Sequence, residues 1–164
     1  MLEARTDVSR HGRRLPAVTD DDYARLLRFR SGLRRFERWS EQQAEAAGLT
    51  GTQHQLLLAV RGHPDRRGPT VGDLSEYLLL RHHSVVELID RAVGAGVVRR
   101  TSDPADRRVV RVRPTPRGNA ILRKLTQAHL AELGRLAPAF EGLWSGLEPT
   151  KHLPAGRRVG LSPG

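Results

Sequence analysis

The stretch from Arg99 to Arg113 constrains the fold more than any other part of the sequence. It places two short runs rich in β-branched residues and arginine on either side of a five-residue turn that contains Asp103, Pro104 and Asp106. β-Branched residues favour extended backbone, and an Asp-Pro pair between two such runs is typical of a turn. The pattern predicts an antiparallel β-hairpin.

The predicted hairpin is strongly basic. Seven arginines stand between residues 99 and 117 against two acids, in a chain of net charge +10. A DNA duplex carries about one negative charge per 1.7 Å of its axis, and fixed cations gain affinity by releasing condensed counterions. Guanidinium groups form forked hydrogen bonds to phosphates and guanines, so the hairpin is a candidate nucleic-acid contact. A membrane surface or a merely solvated basic face is the alternative.

The composition limits the chain to a few classes of protein. A length of 164 residues with 38% hydrophobic residues predicts one globular domain. The sequence has no cysteine, which excludes disulfides and cysteine-based zinc sites. No apolar run reaches the roughly 18 residues of a membrane span, and the N-terminus lacks the apolar core of a signal peptide. We therefore expect a cytoplasmic protein with no membrane partner.

Helical patterns precede the hairpin. Thr19 and the three aspartates after it predict the start of a first helix over about 22–46. Thr50 caps a second helix, which stops at Gly62-His63-Pro64.

The next two helices are short. Thr70 and Asp73 form a capping box for the third, and a tight corner at 79–81 leads into the fourth. The apolar face of the fourth helix comprises Val85, Ile89, Ala92 and Val93. Two short helices joined by a tight turn predict a helix-turn-helix.

A fifth helix follows the hairpin, with Thr115 as its cap and Pro116 in its first turn. Its apolar face runs from Leu122 to Phe140, which is longer than a small core requires and therefore predicts a partner subunit. The polar, Arg- or Pro-rich ends at 1–18 and 149–164 are predicted to be disordered.

Taken in order, these elements resemble the MarR family of winged helix-turn-helix transcription regulators over about Leu26 to Phe140. The strings that carry the resemblance are Leu49-Thr50 with Gln53, Thr70 with Leu74, His83 to Arg91, Gly96-Val97-Val98 with Arg100, Asp103 to Arg108, and Thr115 to Gly118. The resemblance implies a mainly α-helical winged helix over 19–148, with a small β-hairpin and a DNA-binding lobe at about 50–115.

The resemblance also implies a function. Long helices at both chain ends would form a homodimer on a pseudo-palindromic double-stranded operator, and a small aromatic or anionic effector would release a repressor from it. The sequence departs from the family where Gly142, Gly146 and Pro149 shorten the last helix. The alternatives are a DNA-binding architectural protein without an effector, and a protein-interaction module on a winged scaffold.

A recognition helix turns its first turn toward base edges in the major groove. The predicted DNA-binding residues are His82, His83, Ser84, Glu87 and Arg91 on the fourth helix, and Arg107, Arg108 and Arg111 on the hairpin. Arg107 is the first choice for the minor groove. Arg108 and Arg111 either bind phosphate or pair with Asp103 and Asp106. Glu87 either accepts from a base or forms an internal ion pair.

Three residues are predicted to organise the hairpin: Arg100, Asp103 and Asp106. Asp106 is expected to be the main organiser, through hydrogen bonds within the hairpin or a pair with Arg100.

An effector pocket is predicted among the first, second and fifth helices, with Trp39, His54 and His129 as lining residues. The alternative for His129 is a satisfied core histidine. The histidines and acids have no metal-ligand spacing and no catalytic set is visible, so we expect no metal, no cofactor and no enzymatic activity.

Overall fold

The structure, a computed structural model, describes residues 18–144 and arranges them as five α-helices around one β-hairpin. The elements are α1 (Asp20–Ala46), α2 (Gly51–Gly62), α3 (Val71–Leu78), α4 (His82–Gly94), β1 (Val98–Ser102), β2 (Val110–Pro114) and α5 (Pro116–Trp144). The mainly helical fold with a small hairpin is confirmed. The disorder predicted for 1–18 and 149–164 concerns segments that, apart from Val18, lie outside the described residues.

Threonine caps set the first residues of three helices. Thr19, Thr50 and Thr70 each accept a hydrogen bond from the backbone N–H three residues later, and the side chain of that later residue accepts one from the backbone N–H of the threonine. These capping boxes satisfy backbone donors that a helix N-terminus otherwise leaves unpaired. The three predicted helix starts are therefore confirmed to within two residues.

The corner between α3 and α4 spans residues 79–81 and begins with a residue in the left-handed conformation. Leu79 has φ 54° and its backbone N–H donates to the Ser75 carbonyl, which ends α3. The chain then turns directly into α4, so α3 and α4 form the predicted helix-turn-helix.

The core lies between α2, α3, α4 and the hairpin. Its fully buried side chains include Leu56, Leu57, Leu74, Val85, Leu88, Ile89, Val97, Val98 and Val112. Three of the four residues predicted for the apolar face of α4 are buried, but Val93 is 38% exposed, and Leu88 fills the core instead. Burying this face leaves the opposite face of α4 exposed to solvent.

The hairpin is antiparallel, as predicted, but its connection is longer than the predicted five-residue turn. Ser102 pairs with Val110, so seven residues, 103–109, join the strands. The Asp103 N–H donates to the Val109 carbonyl, and the Val109 N–H donates to the Asp106 carbonyl. These two bonds close a loop in place of a tight turn.

The helices α1 and α5 pack against each other beyond this lobe. Phe29 and Phe140 meet edge to face, with ring centroids 6.1 Å apart. Both helices expose large apolar side chains: Tyr23, Leu26 and Leu27 on α1, and Leu130 and Leu133 on α5. Within the described residues, we find no helix with the length and apolar character needed to cross a membrane.

Close packing at the start of α5 gives a stability prediction. A Cβ at Gly118 would overlap the Val97 carbonyl oxygen, whereas a Cβ at Gly134, on the same helix, would meet nothing within 4 Å. We expect Gly118→Ala to lower the free energy of unfolding by about 1–3 kcal/mol. Gly134→Ala should raise it by up to about 1 kcal/mol, because alanine is the better helix former. Denaturant titration measures both, and equal effects would contradict the packing at Val97.

Candidate nucleic-acid interface

The first turn of α4 presents polar side chains to solvent. His82 and His83 are exposed and Ser84 is half-buried. Glu87 and Arg91 lie one turn later with side chains 67% and 62% exposed and with their charged atoms 3.9 Å apart. The structure thus brings the five predicted α4 residues to one accessible region. Within it, Glu87 forms a long internal ion pair with Arg91.

The tip of the hairpin carries two accessible arginines. Arg107 and Arg108 are exposed, and in the described part of the chain neither guanidinium pairs with a carboxylate. The Arg108 N–H donates to Asp106 Oδ1 at 2.9 Å, which holds the tip in a local turn. Asp106 therefore acts only within the tip.

Asp103 organises the hairpin, which corrects the expectation for Asp106. The Asp103 side chain is 4% exposed and accepts from the Ala105 N–H at 2.8 Å and from Arg111 Nε at 2.6 Å. Arg67 Nη1 also donates to Asp103 Oδ2, at 3.2 Å, so this oxygen accepts from both arginines. The Ala105 N–H, followed by the Arg111 and Arg67 guanidiniums, lowers the pKa of Asp103 despite the opposing effect of burial.

Arg111 is committed inside this network. Its side chain is 12% exposed, and its Nη1 donates to Asp65 Oδ2 at 3.1 Å and to the Gly68 carbonyl at 2.8 Å. Of the two alternatives for Arg111, the structure shows the pair with Asp103 and no pair with Asp106. A guanidinium with these partners has little capacity left for phosphate.

Sequence reasoning missed Asp65, the second acid of the network. Hydrogen bonds from the Arg67 side chain and backbone, with the charges of Arg67 and Arg111, lower the pKa of Asp65 to about 2. The contact from Asp65 to Arg111 spans 46 residues. Its only sequence signal is an aspartate in a Pro- and Gly-bounded loop, which does not reveal the partner.

Arg100 pairs with Asp90 on α4. Of the two alternatives for Asp106, the described residues therefore show the hydrogen bonds within the hairpin and no pair with Arg100. Arg100 Nη1 lies 2.5 Å from Asp90 Oδ1. Arg100 lies on β1, the strand that follows α4, and is opposite Val112 of β2. The ion pair therefore joins β1 to α4 and helps to set the angle between the hairpin and the helix.

The three predicted pocket residues meet in one aromatic cluster. The His129 ring lies 4.9 Å from the Trp39 ring and 4.7 Å from the His54 ring. His129 Nδ1 lies 2.7 Å from the Leu125 carbonyl and must donate to it, and His129 Nε2 lies 2.8 Å from Ser40 Oγ. Both nitrogens of His129 are satisfied, which favours its interpretation as a core histidine.

A large cleft adjoins this cluster between α1 and α5. Its volume is about 1000 Å³, and Trp39 lines it together with Phe36, Arg35 and Phe140. His54 and His129 do not line this cleft. Of the three predicted pocket residues, Trp39 alone is among its lining residues. Burial, and then the neighbouring His129, lowers the pKa of His54, which favours its neutral form.

Comparison with known proteins points to one family over the central part of the chain. Residues 47–109, from the end of α1 to the hairpin loop, match the family model described as the MarR family. Over this segment the chain is similar to the MarR family. Over 56 residues it is 41% identical to an uncharacterized HTH-type transcriptional regulator, YsmB of Bacillus subtilis (strain 168). That match covers 34% of this chain and 38% of YsmB, so it spans well under half of this curated relative.

Solved structures share the fold, and one of them, AbsC, is a MarR family transcriptional regulator. AbsC from Streptomyces coelicolor is 21% identical, with a TM-score of 0.65 over 82% of this chain and 95% of AbsC. A MepR mutant from S. aureus, bound to an oligodeoxyribonucleotide, is 20% identical, with a TM-score of 0.55 over 81% and 87%. CouR from Rhodococcus jostii RHA1, bound to p-coumaroyl-CoA, is 22% identical, with a TM-score of 0.58 over 81% and 96%.

The Asp103 network gives a prediction for pH-dependent stability. Asp103→Asn removes the charge that holds Arg111 and Arg67, so we expect it to lower the melting temperature at pH 7. Asp106→Asn, at the exposed tip, should change it little.

Acid titration separates charge from packing. Because the pKa of Asp103 is lowered in the folded state from its usual 3.8, its stabilisation is present above that pH and is lost as pH falls through the folded value. The gap between the wild type and Asp103→Asn should therefore close in acid. A gap that is constant with pH would show that the carboxylate charge contributes nothing.

Proposed function

We propose that this protein is a MarR-family, sequence-specific DNA-binding transcription regulator, and not an enzyme, that acts as a homodimeric repressor. The observation that carries the proposal is the shared frame of α4 and the hairpin. The Arg100 to Asp90 pair joins the two elements, and the Asp103 network holds the hairpin, while Arg107 and Arg108 form no ion pair within residues 18–144. A frame of this kind presents a helix and a basic loop to one duplex at a set angle.

The first turn of α4 and the tip of the hairpin would contact different grooves of the duplex. The polar first turn of α4, with His82, His83 and Ser84, suits the donor and acceptor pattern of the major groove. Arg107 at the tip suits the minor groove, where narrow A·T-rich segments concentrate negative potential. The MepR structure, which contains an oligodeoxyribonucleotide, supports DNA as the partner of this fold.

A homodimer accounts for the exposed apolar faces of α1 and α5. Tyr23, Leu27 and Leu130 are each more than half exposed in the single subunit, an exposure that a partner subunit would relieve. A two-fold dimer reads a pseudo-palindromic operator when its recognition helices lie about 34–36 Å apart, one turn of B-DNA. Repression would follow when the occupied operator overlaps a promoter.

The cleft between α1 and α5 is the proposed effector site. Its aromatic and apolar wall, with Arg35 beside it, suits a small aromatic or anionic molecule. The complex of CouR with p-coumaroyl-CoA supports ligand binding in this fold. A ligand would release DNA only to the extent that it binds the non-operator conformation more tightly than the operator conformation.

The hairpin tip gives a prediction for DNA affinity. We expect Arg107→Ala to weaken binding about equally across sequences and to reduce the slope of log K against log salt by about one, because one phosphate contact is lost. Fluorescence anisotropy with an operator duplex across a salt series measures the slope. Arg38→Ala, an exposed arginine on α1, is the matched control and should leave the slope unchanged. An unchanged slope for Arg107→Ala would remove the tip from the interface.

The apolar faces give a prediction for assembly. We expect Leu130→Glu to shift the protein from dimer to monomer, because it places a charge in the face that the partner would bury. Leu58→Glu, at a 51% exposed leucine of α2, should leave the dimer intact. Sedimentation equilibrium distinguishes the two states. A wild-type protein that is monomeric at tens of micromolar would contradict the homodimer.

A further inference from the structure

A second pocket lies between the C-terminal end of α2 and the hairpin, away from the α1–α5 cleft. Its volume is about 470 Å³. Its basic lining residues come from three segments that are distant in sequence: Arg61, His63, Arg66, Arg99 and Arg113. A concave site with four guanidiniums is a candidate for an anionic ligand.

These four guanidiniums are uncommitted. In the described part of the chain, none of Arg61, Arg66, Arg99 and Arg113 forms an ion pair with a carboxylate. Asp65 also lines the pocket, but its carboxylate is bound by Arg67 and Arg111. The net charge of the pocket wall is therefore strongly positive and uncompensated.

The hairpin register adds a specific conflict. Arg99 stands directly opposite Arg113 across the two strands, and both line the pocket. Like charges directly opposite each other in an antiparallel pair are destabilising. An anion held between the two side chains would convert this repulsion into attraction.

An unpaired buried nitrogen gives an independent indication of a ligand. The His63 side chain is 10% exposed, and its Nε2 lies 4.0 Å from Asp73 Oδ2. Its Nδ1 is buried and has no hydrogen-bond partner in the described structure. Buried polar atoms are almost always paired, and His63 is a lining residue of the pocket, so this side chain has hydrogen-bonding capacity left for a ligand there.

We propose that this pocket binds a small phosphate-bearing anion, with Arg99 and Arg113 as its principal contacts and His63 as an additional one. Guanidinium groups match phosphate oxygens with forked hydrogen bonds, and the pocket volume suits a small ligand and not a nucleic-acid strand. The site would act on the hairpin, because the loop that carries His63 and Asp65 is joined to β2 through Arg111. The proposal concerns anion binding and does not depend on the proposed regulation of transcription.

Isothermal titration of the full-length protein with inorganic pyrophosphate tests the proposal. The site variant is Arg99→Gln/Arg113→Gln, and the control is Arg34→Gln/Arg38→Gln on α1, which removes the same charge from a surface outside the pocket. We expect saturable binding of one pyrophosphate per subunit, weakened at least about tenfold in the site variant and less than about twofold in the control. Pyrophosphate should also raise the melting temperature of the wild type and the control, but not of the site variant.

Further experiments identify the class of ligand and the residues that contact it. Orthophosphate should compete with pyrophosphate, whereas the dicarboxylate glutarate at the same concentration and ionic strength should not. His63→Phe keeps an aromatic ring without the nitrogens and should weaken pyrophosphate binding. The melting temperature of this variant shows whether its fold is intact.

Three results would overturn the proposal. They are the absence of saturable pyrophosphate binding, equal binding by the site variant and the wild type, and displacement by glutarate as effective as by orthophosphate. A fourth would reassign the surface: if the site variant lowers the salt slope of DNA binding by about two while pyrophosphate binding is unchanged, these arginines follow the DNA backbone.

Discussion

The buried carboxylate of Asp103 is the interaction on which the hairpin and its tip depend. A buried charge is costly unless it is paired and hydrogen-bonded, and Asp103 meets that cost with the Ala105 N–H and the Arg111 guanidinium. Arg111 in turn reaches Asp65 and the Gly68 carbonyl, which ties the loop before α3 to β2. Ion pairs thus anchor the hairpin where its strands meet the loop, while the tip of the loop remains in solvent.

The arginines of the hairpin fall into two groups. Arg100 and Arg111 are consumed by internal carboxylates, and their charge serves the fold. Arg107 and Arg108 are exposed and unpaired within the described residues, and Arg99 and Arg113 face a basic pocket. Net charge alone assigns all of them to a polyanion, whereas burial and pairing separate structural arginines from those available to a ligand.

The aromatic cluster at His129 links the two ends of the molecule. Trp39 and Ser40 belong to α1, His54 to α2, and His129 to α5, so one contact set joins the paired long helices to the lobe that carries α4. The proposed effector cleft adjoins this set through Trp39. A ligand that moved Trp39 would therefore act on the junction between the long helices and the helix-turn-helix.

The sequence by itself determined the elements whose signals are local. The caps Thr19, Thr50 and Thr70 act on residues three positions away, so they predicted helix starts, and β-branched runs around Asp103 predicted the hairpin. Only the tertiary structure decided the charge partners. The sequence had offered Asp106 to Arg100, and Asp103 and Asp106 to Arg111. Arg100 instead pairs with Asp90, and Arg111 pairs with Asp103 and with the distant Asp65, because packing places those carboxylates at hydrogen-bond distance.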